Sequence, residues 1–260
     1  MDLKQELESA IKIVKEAGKI LIDGHPNPSG IETKADGSLV SDVDRKASAF
    51  IQERLIAGFP SYAMVNEELA EDQSRFKREF CWFVDPLDDT KGFLAKSTTS
   101  GILLGLTYKF QPVLGVTYNP FADELVCAII GNGTYCMRSG ETSKISVSKN
   151  KDIHLLISSS RSSPELEQII AKIRPARTTK MGGSLKIVEV AKGFGNVFYC
   201  PKSSTMHLWD LCGPSVILEE AGGKITDTYG KPFDYSQKDT ANVNGVIATN
   251  GVLHPRILSA

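Results

Sequence analysis

The sequence lacks a net charge of either sign, since 30 basic residues face 31 acidic ones and leave a formal charge of -1. Such a balance gives no strong field toward nucleic acid or an anionic membrane. Apolar runs of about twenty residues are also absent, so a membrane span is not expected. The first twenty residues intersperse Lys and Glu with apolar positions and lack the apolar core of a signal peptide. These absences favour a cytoplasmic protein with a small-molecule partner.

Cysteine pairs are missing as well. The cysteines are odd in number and form no Cys-x-x-Cys pair, which argues against a disulfide framework and against a zinc ribbon. We expect all five to be reduced core residues: Cys81, Cys127, Cys136, Cys200 and Cys212. With 260 residues, 41% of them hydrophobic, the chain is long enough to bury a large core.

Hydrophobic periodicity predicts helices and strands in alternation, and hence a layered α/β architecture. Residues 23–39, rich in Gly, Pro, Asn and Asp, predict a long loop. A boundary near residues 149–152 is predicted to separate an N-terminal α+β half, 1–150, from a C-terminal α/β half, 151–260. Helices are predicted from Leu3 to Leu21, for 43–57, 164–173, 184–192 and 211–220, and at the C-terminus. Strands are predicted for 80–84, 101–108, 112–119, 124–130, 134–138, 154–160, 196–200 and 245–250.

The most unusual stretch is WFVDPLDDTKGF, in which three carboxylates fall within five residues directly after an apolar run. Asp85 and Asp88 are expected where a buried strand ends and a loop begins, and ligands usually bind at such strand ends. A turn explains Asp and Pro as well, and Asp88 or Asp89 can cap a following helix. Anions this close nevertheless need a cation, and hard oxygen ligands select Mg²⁺, Mn²⁺ or Ca²⁺.

Other acidic residues have local explanations when each is taken alone. Glu67 and its neighbour fit a solvated surface. Ser41 and Asp44 fit a capping box at the start of the second helix. Asp210 fits an N-cap, in which case Pro214 removes only the first backbone bond of that helix.

In their order along the chain and in their residue patterns, these segments resemble the inositol monophosphatase superfamily of Mg²⁺-dependent, lithium-sensitive phosphatases. The resemblance spans nearly the whole chain: the Glu67 pair, DPLDDT against D-P-[IL]-D-G-T, and WDLCGPSVILEEAGG against W-D-x-A-x-G-x-x-x-x-x-E-A-G-G. It implies an α/β fold in αβαβα layers, of the inositol monophosphatase and fructose-1,6-bisphosphatase type. It also implies hydrolysis of a small phosphate ester by a homodimer.

The same resemblance implies the metal site. Two or three Mg²⁺ ions are expected, with Mn²⁺ as an alternative, and Asp85 would bridge two of them. Two metals about 4 Å apart can activate the attacking water and stabilise the leaving alkoxide. The implied ligands are Glu67, Asp85, the backbone oxygen of Leu87, Asp88 and Asp210.

Catalytic roles follow from the resemblance too, and the implied catalytic set is Asp44, Glu67 and Thr90. The Thr90 hydroxyl would orient the attacking water, and Asp44 would pair with Thr90 as a base and help to hold a weaker third metal. Backbone N–H groups of Asp89 and Thr90 would hold the phosphate at a helix N-terminus. Lys34 lies where the family often has a lysine near the third metal.

Asp89 departs from the family, which usually has glycine at this position. A side chain is expected to be tolerated there if the backbone avoids positive φ. An additional anion beside the phosphate should weaken binding unless the carboxylate points to solvent or takes a metal. This departure keeps open a non-catalytic phosphate-ligand binding module as an alternative.

Substrate choice is read from fewer residues. Lys91 in DDTKGF, the run GGSLK and the S-R-S segment within 158–166 resemble the 3'(2'),5'-bisphosphate nucleotidase branch and favour 3'-phosphoadenosine 5'-phosphate. Lys186 is then expected near the second phosphate, although it also fits an ordinary exposed helix lysine. Against this, Cys200 replaces an arginine of that branch, and His207 matches inositol monophosphatases, so inositol monophosphate stays open, followed by fructose bisphosphate. The residues expected to bind substrate are Asp89, Thr90, Lys91, Ser184, Lys186 and Asp210.

Overall fold

A computed structural model of the 260-residue chain describes residues 1–70, 73–159, 162–202 and 206–260. The α-helices are α1 Lys4–Gly24, α2 Asp42–Gly58, α3 Thr90–Leu94, α4 Pro164–Ile173, α5 Leu185–Ala191, α6 Leu208–Glu220 and α7 His254–Leu258, and a 3-10 turn spans Gln73–Lys77. Among the described residues, no helix is long and apolar enough to cross a membrane.

Two sheets form the frame. The strands of the first are β3 Ala63–Asn66, β4 Phe80–Asp88, β5 Gly101–Tyr108, β6 Gln111–Asn119, β7 Glu124–Ile129, β8 Thr134–Arg138 and β9 Glu141–Ile145, which neighbour one another in chain order. Only its β3–β4 pair is parallel. The second sheet has the order β11-β10-β12-β16-β14, from β10 His154–Ser158, β11 Arg177–Met181, β12 Val197–Cys200, β14 Lys224–Thr226 and β16 Val246–Thr249. Two short pairs, β1 Glu32–Thr33 with β2 Leu39–Val40 and β13 Met206–His207 with β15 Ala241–Asn242, complete the strands.

The helices and sheets stack in five layers. Helices α1 and α2 share an apolar core with one face of the seven-stranded sheet. Helices α5 and α6 lie between the two sheets, and α4 and α7 cover the far face of the five-stranded sheet. The αβαβα prediction is therefore confirmed. The segment 149–152 lies between the last strand of the first sheet and the first strand of the second, while the division into two halves stays a prediction.

Glycine allows α6 to approach the first sheet very closely. A Cβ on Gly105 of β5 would lie 2.5 Å from the backbone nitrogen of Gly213, and one on Gly115 of β6 would lie 2.1 Å from its carbonyl oxygen. No side chain fits between the two backbones here, so the helix packs directly on the strands. This approach places the start of α6, with Asp210, beside the end of β4.

Three local predictions were wrong. The long loop contains the β1–β2 hairpin, because Gly37 adopts φ +84° and closes a turn in which its N–H donates to the Lys34 carbonyl. Helix α6 begins at Leu208, so Asp210 lies in its first turn and is not the N-cap, which is His207. Pro214 therefore lies inside the helix and removes an interior backbone bond. Strand β4 does not end at Val84 but continues to Asp88.

Candidate active site

A β-bulge brings Asp85 and Asp88 to the same side of β4. Asp85 pairs with Leu103 of β5 and Asp88 with Gly101, so three steps on one strand match two on the other. Side chains alternate along a regular strand, and two residues three apart would face opposite sides without the extra residue. The turn within the bulge is closed by the N–H of Leu87, which donates to Asp85 Oδ1 at 3.0 Å.

Asp210 completes a carboxylate cluster with these two residues. One oxygen from each of Asp85, Asp88 and Asp210 lies within 4.8 Å of the others. Asp85 is 1% exposed and Asp88 is 5% exposed, so water does little to separate their charges. The carboxylate of Asp210 accepts the N–H of His207 at 2.7 Å, which fixes it in the first turn of α6.

Glu67 lies directly after β3 and joins the cluster from the neighbouring strand. Its N–H donates to the Val84 carbonyl at 3.1 Å, and the charge of its carboxyl group acts on Asp85. Lys34 Nζ lies 3.0 Å from Glu67 Oε1 and 2.7 Å from Glu68 Oε1. The hairpin lysine therefore contacts both members of the glutamate pair, and Glu68 is a contact that the sequence interpretation had assigned to a solvated surface.

The carboxylates of the cluster are buried close together, and this raises their pKa values. Burial, followed by the charges of Glu67, Asp88 and Asp210, raises the pKa of Asp85 well above its usual range. Burial raises the pKa of Asp88 to about 6, with a further contribution from Asp89. Burial likewise raises the pKa of Glu67 to about 7, although Lys34 opposes the shift. Hard carboxylate oxygens crowded in this way fit a divalent cation that would neutralise them.

Thr90 and Asp44 form a hydrogen-bonded pair beside the cluster. Thr90 Oγ1 lies 2.8 Å from Asp44 Oδ1 and 3.2 Å from the Leu87 carbonyl. The other oxygen of Asp44 accepts the N–H of Ser41 at 2.8 Å and its hydroxyl at 2.5 Å. The predicted capping box is thus confirmed, and it leaves one carboxylate oxygen of Asp44 for Thr90.

The turn before α5 contacts Asp88 from the other side. The N–H of Ser184 lies 2.8 and 2.6 Å from the two oxygens of Asp88, and that of Leu185 lies 3.3 Å from one of them. Lys186 is only 5% exposed, so the alternative of an ordinary exposed helix lysine is wrong. Its ammonium group donates to the carbonyls of Gly183 and Met181 and lies 5.4 Å from the ring centroid of Phe198.

Asp89 adopts a left-handed backbone, with φ +65° and ψ +51°. The condition under which a side chain was expected to be tolerated here, a backbone that avoids positive φ, is therefore not met. Asp is among the few residues besides glycine that tolerate this region, because its short side chain bonds locally. Here Asp89 caps α3, and its Oδ1 accepts the N–H of Gly92 at 3.1 Å.

The remaining candidate residues lie at the margin of the site. His207 stacks on Trp209 with a centroid distance of 4.3 Å, and its Nδ1 lies 3.3 Å from Thr240 Oγ1. Lys91 is exposed on α3. Within the S-R-S segment, Ser160 and Arg161 lie outside the described residues.

Comparison with known proteins agrees with this geometry. Residues 2–260 match the inositol monophosphatase family. The chain is 30% identical to inositol monophosphatase 3 of Solanum lycopersicum, over 93% of each chain. It is also 30% identical to the 3'(2'),5'-bisphosphate nucleotidase CysQ of Buchnera aphidicola, over 90% of this chain and 88% of that one.

A solved structure shows the same fold. The IMPase of Thermotoga maritima superposes with a TM-score of 0.84 at 23% identity, covering 98% of this chain and 95% of that one. Relatives of this chain are named phosphatases, and the buried carboxylate cluster suits the metal dependence of such enzymes. The protein is therefore a phosphatase that belongs to the inositol monophosphatase family.

Proposed function

We propose that the protein is a Mg²⁺-dependent phosphomonoesterase that hydrolyses a small phosphate ester with an activated water molecule. The observation that carries the proposal is the cluster of Asp85, Asp88 and Asp210, whose oxygens lie within 4.8 Å beside the Thr90–Asp44 pair. Glu67, Asp85, Asp88, Asp210 and the Leu87 carbonyl are the proposed ligands. When bound, Mg²⁺ supplies Lewis acidity toward the phosphate ester and the attacking water.

The Thr90–Asp44 pair supplies the orientation of the water. When the Thr90 hydroxyl donates to Asp44 Oδ1, its own lone pairs face away from Asp44 and can accept a hydrogen bond from a water molecule, whose proton can pass to Thr90 as the hydroxyl proton passes to Asp44. Asp44 is 1% exposed and held by Ser41, so its position does not depend on the substrate. Asp44 then serves as the proton acceptor through Thr90.

We propose 3'-phosphoadenosine 5'-phosphate as the first substrate, with loss of its 3'-phosphate. Support comes from Lys91 and from the run Gly183–Lys186, which lies against Asp88 through the Ser184 amide. These residues match the nucleotidase branch in sequence, and one of the 30% identical relatives carries that name.

Inositol monophosphate is the second candidate, and one observation favours it. The ammonium group of Lys186 is buried and donates to the carbonyls of its own turn, so it is not presented to a second phosphate. A substrate with a single phosphate has no need of such a cation. The other 30% identical relative is named an inositol monophosphatase.

Phosphate release measured side by side tests the proposal. The full chain is incubated with 3'-phosphoadenosine 5'-phosphate or inositol 1-phosphate, with and without Mg²⁺ and Li⁺. We expect Mg²⁺-dependent, Li⁺-inhibited release, at least about tenfold faster from the nucleotide. A faster reaction with inositol 1-phosphate would assign the second candidate, and metal-independent release would overturn the proposed mechanism. Tight calorimetric binding without release at saturating Mg²⁺ would instead support the non-catalytic module.

A homodimer in the cytoplasm is also proposed, which sedimentation and cell fractionation can check.

A further inference from the structure

The carboxylate of Asp89 is wedged between two glycines. A Cβ on Gly92, in α3, would lie 2.0 Å from Asp89 Oδ2, and one on Gly182, before α5, would lie 1.7 Å from it. At both positions the three nearest atoms all belong to the side chain of Asp89. Asp89 therefore fills the space between the first turn of α3 and the turn that leads into α5.

Backbone conformation does not explain why position 182 is glycine. Gly182 has no left-handed φ, whereas Gly183 adopts φ +61° and would place a Cβ 2.2 Å from Asp88 Oδ2. At Gly183 the backbone and Asp88 both demand glycine. At Gly182 the reason lies in Asp89 alone. Two consecutive acids thus face two consecutive glycines.

The same turn holds Asp88. The amides of Ser184 and Leu185 donate to the carboxylate of Asp88, while Asp89 packs on Gly182 two residues earlier. If the Gly182 contact is lost, the turn is free to move relative to α3, and its amides move with it. Groups that orient a metal ligand contribute to metal affinity even though they do not touch the metal.

We propose that Asp89 is a positioning residue: by capping α3 and packing on Gly182, it fixes the turn whose amides orient Asp88. The functional part rests on the proposed role of Asp88 as a metal ligand. The acid at position 89 and the glycine at position 182 form a matched pair. This pairing is inferred from their packing alone and does not depend on metal binding. The proposed role rests on the shape and hydrogen-bonding capacity of the side chain, which the contacts with Gly92 and Gly182 use.

A double-mutant cycle on thermal unfolding tests the matched pair. In the unaltered chain, Gly182→Ala must displace the carboxylate and break its bond to Gly92, and we expect the melting temperature to fall by about 3 to 8 °C. In an Asp89→Gly background, the same change should cost less than about 2 °C. Gly223→Ala is the control: the nearest atoms to a Cβ there belong to Leu218 and Thr249 and not to Asp88 or Asp89, so it should cost the same in both backgrounds. Equal losses for Gly182→Ala in both backgrounds would overturn the pairing.

Metal binding measured without turnover tests the positioning role. Mn²⁺ binding to the full chain is followed by electron paramagnetic resonance, and Asp89→Gly should weaken it by about three- to tenfold. Asp89→Asn keeps the cap and the left-handed backbone, and should bind Mn²⁺ within about twofold of the unaltered chain. If Asp89→Asn binds as weakly as Asp89→Gly, charge is responsible and the positioning role is wrong. Absence of phosphatase activity would refute the proposed function, while both readouts would still test this inference.

Discussion

Two buried polar groupings of the molecule differ in charge: one brings carboxylates together, and the other holds a neutral histidine between two hydroxyls. In the active site, Glu67, Asp85 and Asp88 bring together like charges, and their pKa values are raised mainly by burial. Against the second sheet, His254 of α7 lies between Thr226 and Thr249, with ring nitrogens 3.0 and 3.1 Å from the two hydroxyls. Burial lowers the pKa of His254 to about 4, so its ring is neutral and both nitrogens are hydrogen-bonded. The second grouping is complete by itself, whereas the first crowds buried negative charge that protons or a bound cation would neutralise.

The comparison teaches how polarity is tolerated inside this fold. A buried polar group costs little when it is neutral and hydrogen-bonded. The carboxylate cluster cannot reach that state without taking up protons or a metal ion. Function therefore explains the active-site grouping, and stability explains the His254 grouping. Four changes can break or sharpen this contrast.

The largest effect is expected from Asp85→Asn. The substitution removes one charge from the centre of the cluster, and we expect phosphate release at saturating Mg²⁺ to fall on the order of 10³-fold, because preorganised charge at the reacting group is lost. The same variant should melt higher than the unaltered chain in EDTA at pH 8, because a repelling carboxylate is gone. A variant that retains activity would show that Asp85 is not a ligand.

A smaller loss is expected from Thr90→Val, which keeps the shape of the side chain and removes the hydroxyl. We expect kcat to fall by about 10²-fold with a much smaller change in the Mg²⁺ requirement, since Thr90 orients a water and is not a proposed ligand. Initial rates over a Mg²⁺ series separate the two quantities. A large shift in the Mg²⁺ requirement with normal kcat would contradict the assigned role.

Metal removal should make stability depend on pH. The folded pKa values of Glu67, about 7, and Asp88, about 6, lie above those of the unfolded chain. The folded state therefore binds more protons, and its stability in EDTA should fall as pH rises from about 4 to 7. The change is on the order of 5 kcal/mol, because each folded pKa lies more than two pKa units above that of the unfolded chain and one pKa unit corresponds to about 1.4 kcal/mol. Urea unfolding at several pH values measures it, and saturating Mg²⁺ should abolish the decline.

The smallest effect has the opposite sign and belongs to His254. Its folded pKa, about 4, lies below that of an unfolded histidine. The unfolded chain therefore takes up a proton at this residue before the folded chain does, and acid destabilises the fold. Stability should be lost as pH falls from about 6.5 toward 4, by about 3 kcal/mol. His254→Gln should remove this part of the acid sensitivity in urea titrations and leave phosphatase activity unchanged. Equal acid sensitivity in both proteins would show that another group is responsible.

The layered fold was predictable because most strands and helices carry strong apolar patterns. Strand β9, ETSKI, was missed because it is an edge strand with four of five residues exposed, and β11, RTTKM, is likewise a polar edge strand. Neither shows the alternation by which sequence reveals a strand.

The candidate site was predictable where a motif names its residues and unpredictable where distant segments meet. DPLDDT pointed to Asp85 and Asp88, but the bulge that aligns them depends on pairing with β5. The packing of Asp89 against Gly182 joins positions almost a hundred residues apart in the chain, and the burial of Lys186 likewise follows from tertiary packing. The glycine pair GG in the sequence was the available signal, because adjacent glycines often mark a close approach.

The close approach of α6 to the first sheet has a consequence for how the protein folds. Residues of α6 belong to the apolar core around β3 and β4 and also to the core of the second sheet. A nascent chain ending near residue 150 would present Glu67, Asp85 and Asp88 without the helix that shields them and supplies Asp210. The cluster of Asp85, Asp88 and Asp210 is therefore assembled late in synthesis, when α6 docks against both sheets.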